Sequence, residues 1–239
     1  PEYWAAIGGA SLAVDTTKPV SAKNPQCLRV ECAGAGDGVV NDGYWGMAMV
    51  EGDAYRLRLL GRGTGTLKVT IENSDGSVTY ATQELGPLGD AWTPLQAELT
   101  ATGTDPKARL VIRANQAGTC WLDIVSLMPA KTWKGHGLRP DLCEMLVGLK
   151  PAFMRFPGGC WVEGDTMDKA YRWKKTIGDI SEREPLWNIW GYQATHGLGY
   201  HEYLQLSEDL GAEPLFSINV GMSHREVVPM EKMSEFVQD

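Results

Sequence analysis

A switch in hydrophobic period near Met128-Pro129 restricts this chain to two architectures in series. Before it, apolar and polar residues alternate in short runs at residues 28–32, 55–59, 67–71, 95–99, 110–112 and 121–125. A period of two sends alternate side chains to opposite faces of a strand, so each run reads as a half-buried strand. Turn signals separate the runs: Asn73-Ser74-Asp75-Gly76, Gly86-Pro87-Leu88-Gly89-Asp90 and Thr102-Gly103-Thr104-Asp105-Pro106. Short strands with turns at this spacing predict a β-sandwich of the jelly-roll kind over residues 1–129.

After the switch the period lengthens. Leu138, Leu142, Met145, Leu146 and Leu149 fall on one helical face, with Pro140 tolerated in the first turn. A strand is expected at 152–156, a second helix at 200–210 stopped by Gly211, a strand at 214–219, and the start of a further helix at 227–237. Both strands are apolar on both faces, the mark of a parallel sheet covered by helices. Two such strands are fewer than a domain needs.

Chemistry concentrates where the first of these strands ends. Phe153-Met154-Arg155-Phe156 runs into Pro157-Gly158-Gly159, and Cys160, Trp161 and Glu163 follow at once. The C-terminal ends of parallel strands are where α/β proteins place their sites. The segment 158–199 is too long for an ordinary connection and holds Trp161, Tyr171, Trp173, Trp187, Trp190 and Tyr192 among many charges. These aromatics suit a wall for sugar rings, and equally a lid packed on a rim. The net charge of −8 is spread evenly, with ten basic against fourteen acidic residues up to 130 and twelve against sixteen beyond. Without a basic patch, a nucleic acid or an anionic membrane is not the expected partner, and no apolar run approaches the length of a membrane span. Five cysteines without metal-type spacing and four histidines without a His-x-x-x-His pair predict neither a disulfide framework nor a zinc site, and no cofactor is expected.

The run 153–160, with Val162-Glu163-Gly164, Tyr171-Arg172-Trp173-Lys174, Thr176-Ile177-Gly178, Trp190-Gly191-Tyr192, Gly197-Leu198-Gly199, Glu202-Tyr203 and 208–214, closely resembles glycoside hydrolase family 51, the α-L-arabinofuranosidases. The upstream sandwich resembles the carbohydrate-binding-module-like domain that one branch of the family carries. The resemblance implies a (β/α)₈ barrel of which residues 130–239 form about strands two and three. It also implies retaining hydrolysis of terminal arabinofuranosyl groups from arabinoxylan or arabinan, plant cell-wall polysaccharides. By the same resemblance Arg155 braces the site, Asn219 faces the pocket, and Trp190 is the stacking candidate. Position 160 is Asn in many members and Cys160 here; a thiol donates weakly, which passes the sugar contact to Glu163.

Retaining cleavage needs an acid/base and a nucleophile about 5 Å apart. The family holds its acid/base in an Asn-Glu pair, and this chain has no such dipeptide. Both catalytic carboxylates are therefore expected beyond Asp239, so the chain looks like a fragment, inactive alone, whose barrel is completed by a parent polypeptide or a second chain. A local dyad built on Glu163 with Asp165, Asp168 or Glu182 is not selected by spacing. Two alternatives stand beside the arabinofuranosidase. One is a non-catalytic carbohydrate-binding protein acting through Tyr44, Trp45 or Trp92, and the other a related hydrolase cutting β-1,4-glucan or xylan. A homo-oligomer is left open, and a secreted or periplasmic location is favoured over a cytoplasmic one.

Overall fold

The computed structural model describes residues 3–238 and divides the chain into two compact units, Pro1–Lys131 and Thr132–Asp239. In the first, eleven strands follow one another: β1 (Trp4–Ile7), β2 (Ser11–Asp15), β3 (Cys27–Cys32), β4 (Gly38–Asn41), β5 (Met47–Met49) and β6 (Ala54–Gly63). Then come β7 (Leu67–Glu72), β8 (Thr79–Leu85), β9 (Thr93–Thr100), β10 (Asp105–Ala114) and β11 (Gly118–Pro129). All pair antiparallel, in one sheet ordered β1-β4-β10-β7-β8, with β5 also on β10, and a second ordered β2-β3-β11-β6-β9.

Alternation explains why two layers form. Along β6, Tyr55, Leu57 and Leu59 point inward while Arg56 and Arg58 stay in water. The facing sheet answers with Val69 and Ile71 on β7 and Leu110 and Ile112 on β10, and these residues close one apolar core. Burying each such side chain contributes about 1.5–3 kcal/mol. Every run named from the sequence lies within a strand. The short or weakly alternating strands β1, β2, β4, β5 and β8 were not predicted. Contrary to the turn reading, Asp105 and Pro106 open β10.

On the other face of the first sheet, Glu72 is buried between Arg109 and Arg113. Burial alone would push its carboxyl up, but hydrogen bonds from Arg113 and Thr70 hold it below the usual range.

The second unit begins with helix α1 (Pro140–Gly148), whose first residue is the proline, and continues to strand β12 (Phe153–Phe156). Helix α2 (Gly159–Glu163), three single 3₁₀ turns and a two-residue hairpin, β13 (Leu186–Trp187) with β14 (Gln193–Ala194), fill the long segment read as a loop. Helix α3 (Tyr200–Leu210) ends at Gly211, whose φ of 68° is the left-handed turn that glycine adopts without a Cβ penalty. Strand β15 (Glu213–Phe216) pairs parallel with β12, Phe153 opposite Glu213 through Phe156 opposite Phe216. The strand expected to reach Asn219 stops at Phe216. The helix expected from 227 is a 3₁₀ turn at Met230–Lys232 and a single turn, α4 (Ser234–Val237).

Helix α3 covers the parallel pair. Phe156 stacks on Tyr203 at 4.7 Å, and Tyr200 meets Phe216 edge-on at 4.5 Å. The apolar face predicted for α1 is another matter. Met145 is 71% exposed and Leu149 76%, because two strands make no sheet wide enough to cover a second helix; Cys143 is the residue α1 buries. Among the described residues no helix is long and apolar enough to cross a membrane.

Candidate active site

Strands β12 and β15 end side by side, so the chain leaves both at one edge of the sheet, and Ser217 N–H donating to Phe156 C=O extends the pairing past the last strand residue. After β12 the turn at Pro157-Gly158 leads into α2. The guanidinium of Arg155 lies across this turn, where a Cβ on Gly158 would come within 2.7 Å of Nη2. Cys160 is exposed on the first turn of α2, a free thiol, while Cys27, Cys32, Cys120 and Cys143 are buried. Burial pushes Cys27 up to about 11 and Cys120 up to about 12.

Glu163 ends α2 and pairs with Nε2 of His224 at 3.2 Å, and Asp165 pairs with Arg225 at 2.8 Å. Two hydrogen bonds align the loops: His224 N–H donates to Gly164 C=O, and Met167 N–H donates to the Glu226 carboxylate. Asn219 ties them together. Its amide donates to Val162 C=O and to Met222 C=O, both at 2.8 Å, and its oxygen accepts from Gly221 N–H and Met222 N–H. That exhausts two donors and two lone pairs, so Asn219 has nothing left for a sugar. The pocket-facing role expected of it gives way to that of a backbone brace.

Aromatic rings gather above α2. Trp161 lies 6.2 Å from Trp190, with planes 19° apart, and about as far from Tyr171 and His196. Trp190 sits at the tip of the β13–β14 hairpin, which closes by Gly191 N–H to Asn188 C=O and by Trp190 N–H to the Asn188 side chain. It is 58% exposed, and Trp187 and Tyr192 are exposed on the same hairpin. Beside it a cavity of about 180 Å³ is lined by Asp165, Lys169, Trp187, Asn188 and Arg225 among others.

Arg183, which the sequence did not single out, holds this loop in place. Its guanidinium donates to Gly178 C=O, His196 C=O and both oxygens of Glu202. Glu202, on the first turn of α3, also accepts from Gly199 N–H. His196 donates from Nδ1 to Glu184 C=O, and burial pulls its pKa below the ordinary value, so the ring is neutral and Nε2 carries a lone pair. That Nε2 and the Asn188 amide nitrogen are buried without a hydrogen-bond partner among the described residues.

Flat aromatic faces, an exposed thiol, a guanidinium and two carboxylates thus follow the carboxyl ends of the parallel strands, groups chemically able to contact a neutral polar ring. In the first unit, Tyr44 and Trp45 are 71% and 83% exposed and meet edge-on at 4.7 Å. Trp92 is different, being partly buried with its indole N–H on Pro19 C=O.

The chain is a β-sandwich followed by the early part of a (β/α)₈ barrel. Residues 145–239 match the family model of the alpha-L-arabinofuranosidase 1 domain. Over 251 aligned residues the chain is 42% identical to alpha-L-arabinofuranosidase 2 of Arabidopsis thaliana, covering 99% of this chain and 37% of that protein. It is 38% identical to the extracellular exo-alpha-L-arabinofuranosidase of Streptomyces chartreusis over 76% of this chain and 24% of that one. A solved arabinose-bound family 51 α-L-arabinofuranosidase superposes with a TM-score of 0.91 at 30% identity, over 99% of this chain and 41% of its own. The chain belongs to glycoside hydrolase family 51, the α-L-arabinofuranosidases, and spans 37% of the length of its Arabidopsis relative.

Proposed function

We propose that this chain supplies part of the substrate pocket of a retaining α-L-arabinofuranosidase acting on arabinoxylan or arabinan. In this reading residues 1–129 are the carbohydrate-binding-module-like domain and residues 130–239 about strands two and three of the barrel. The observation that carries it is the exposed Trp190 stacked on Trp161 of α2, the short helix that also bears Cys160 and Glu163 and directly follows the strand of Arg155. An indole face takes the apolar side of a furanose ring, Arg155 and Glu163 take its hydroxyls, and Cys160 adds a weak donor. Asn219 serves by fixing the two loops that carry these groups. Glu163 is engaged by His224 and Asp165 by Arg225, which suits binding better than proton transfer, and no Asn-Glu pair is present. The acid/base and nucleophile then come from outside these residues, from the parent polypeptide or a second chain.

The exposed Tyr44–Trp45 pair favours a second role, the sandwich as a binding unit for the same polysaccharides.

The test has two arms. The 239-residue chain should release no 4-nitrophenol from 4-nitrophenyl α-L-arabinofuranoside above background. In a full-length protein containing it, Trp190→Ala should weaken arabinofuranoside binding by about 1–3 kcal/mol, the worth of lost apolar burial. Turnover by the chain alone that Glu163→Gln abolishes would place a catalytic carboxylate here, and unchanged kinetics for the Trp190 variant would remove it from the site.

A further inference from the structure

The sandwich contains a cavity of about 260 Å³ that the strand-end constellation does not use. It opens between the two sheets near β1, β2 and β4, and its lining includes Trp4, Gln26, Asn41, Leu122, Asp123 and Val125. This is the small end of the range for ligand pockets, room for one ring rather than a chain.

The backbone there is specialised. Leu122, Asp123, Ile124 and Val125 are consecutive, yet all four line the cavity. A regular strand sends neighbours to opposite faces and cannot do this. β11 achieves it by a bulge: its register against β6 shifts between Asp123 and Ser126, and Ile124 takes a φ of 47°. A β-branched residue in the left-handed region is a genuine outlier that persists only where the surroundings enforce it, and such outliers gather at binding sites. Bulges, likewise, serve to re-aim side chains.

The polar groups delivered are unsaturated. Asp123 accepts from Ile124 N–H at 2.7 Å and from the Asn24 amide at 2.9 Å, with two lone pairs to spare. Asn41 spends its oxygen on Gly43 N–H, and among the described residues its amide donors, and both ends of the Gln26 amide, are unpaired. No Lys or Arg lines the space, which disfavours an anion. Burial pushes the Asp123 carboxyl up to about 6, so ionisation is costlier than for an exposed acid and hydroxyl donors can satisfy it. An indole, two amides and a reluctant acid fit a neutral polyol.

We infer that this cavity binds a single neutral sugar ring, with Trp4 giving the flat apolar face and Asp123, Asn41 and Gln26 the hydroxyl partners. The site lies wholly within the sandwich, and its argument is independent of the arabinofuranosidase reading.

Two-dimensional ¹H–¹⁵N spectra of the 239-residue chain, titrated with L-arabinose, D-xylose and ethanolamine, test it. Saturable shifts are expected for the Trp4 indole and the Gln26 and Asn41 amides with a pentose at millimolar concentration, and none with ethanolamine. Gln26→Ala and Asn41→Ala should each weaken the pentose about three- to tenfold, the worth of a hydrogen bond. Gln26 is exposed, so its variant keeps the test valid should Asn41→Ala disturb the fold. Absence of saturable shifts at these residues overturns the inference, as does binding of ethanolamine alone or affinity indifferent to both variants. Shifts confined to Trp190 and its neighbours support the barrel site and overturn this one.

Discussion

Arg183→Ala removes the group that ties the aromatic loop to α3, and the structure fixes how much this should matter. The side chain is 7% exposed and donates five hydrogen bonds, two to Gly178 C=O at 2.8 and 3.0 Å, one to His196 C=O at 2.7 Å and two to Glu202 at 2.8 and 3.0 Å. Alanine leaves two carbonyls and a carboxylate short of partners. Breaking a buried pair typically costs about 3–5 kcal/mol, and the 28% exposure of Glu202 places this one near the lower end, about 3 kcal/mol. The opening equilibrium of the segment should then rise roughly a hundredfold.

Hydrogen exchange followed by mass spectrometry should show amide protection falling over residues 176–202 and holding in the sandwich. The deficit should also depend on pH. Burial alone would raise the Glu202 carboxyl, but hydrogen bonds from Arg183 and Gly199 N–H win and hold it below the ordinary value of 4.5. A depressed folded value gives stability that is full above 4.5 and lost as pH falls through the folded value, so the share of the deficit that Glu202 carries should vanish in acid while the share from the two carbonyls remains. Unchanged protection at neutral pH, or a deficit as large in acid as at neutral pH, refutes the brace.

Leu57→Ala, at a fully buried core position of β6, should lower stability in urea titration by about 3 kcal/mol. Asp123→Asn should act the other way. Its folded value lies above the unfolded one, so stability falls as pH rises from 3.8 to about 6, and the amide should gain about 1–2 kcal/mol at pH 7 and nothing below pH 4. Ellman's reagent should label one thiol quickly in the native chain, at Cys160, and four more after unfolding.

The sequence made local periods legible and left long-range ties invisible. The strands around Leu57, Val69 and Leu122 and helix α3 with its Gly211 stop follow from spacing, since each is decided by residues a few places apart. The bulge at Asp123 did not announce itself, because Trp121-Leu122-Asp123-Ile124-Val125 alternates well enough to pass for a regular strand. Arg183 stands between two glutamates and read as solvated charge, while its partners lie at 178, 196 and 202. Asn219 drew notice as the end of a strand that stops at Phe216, and its partners are set by how the loops meet. α1 shows the reverse failure: a valid amphipathic face whose covering sheet is absent from the described residues.

The saturated amide of Asn219 also governs where this part of the fold can vary. By bonding Val162 C=O across 57 positions of sequence, it closes the chain between them into a ring, with the aromatic hairpin, α3 and β15 strung along it. Length can be added at the tip of such a ring, near Asn188–Gly191, for little more than the slow logarithmic rise in closure entropy. Residues inserted beside the clasp, at 162–164 or 219–222, would instead pull four hydrogen bonds out of register at once. Engineered insertions should therefore be tolerated at the hairpin tip, while the segments around the clasp keep their length.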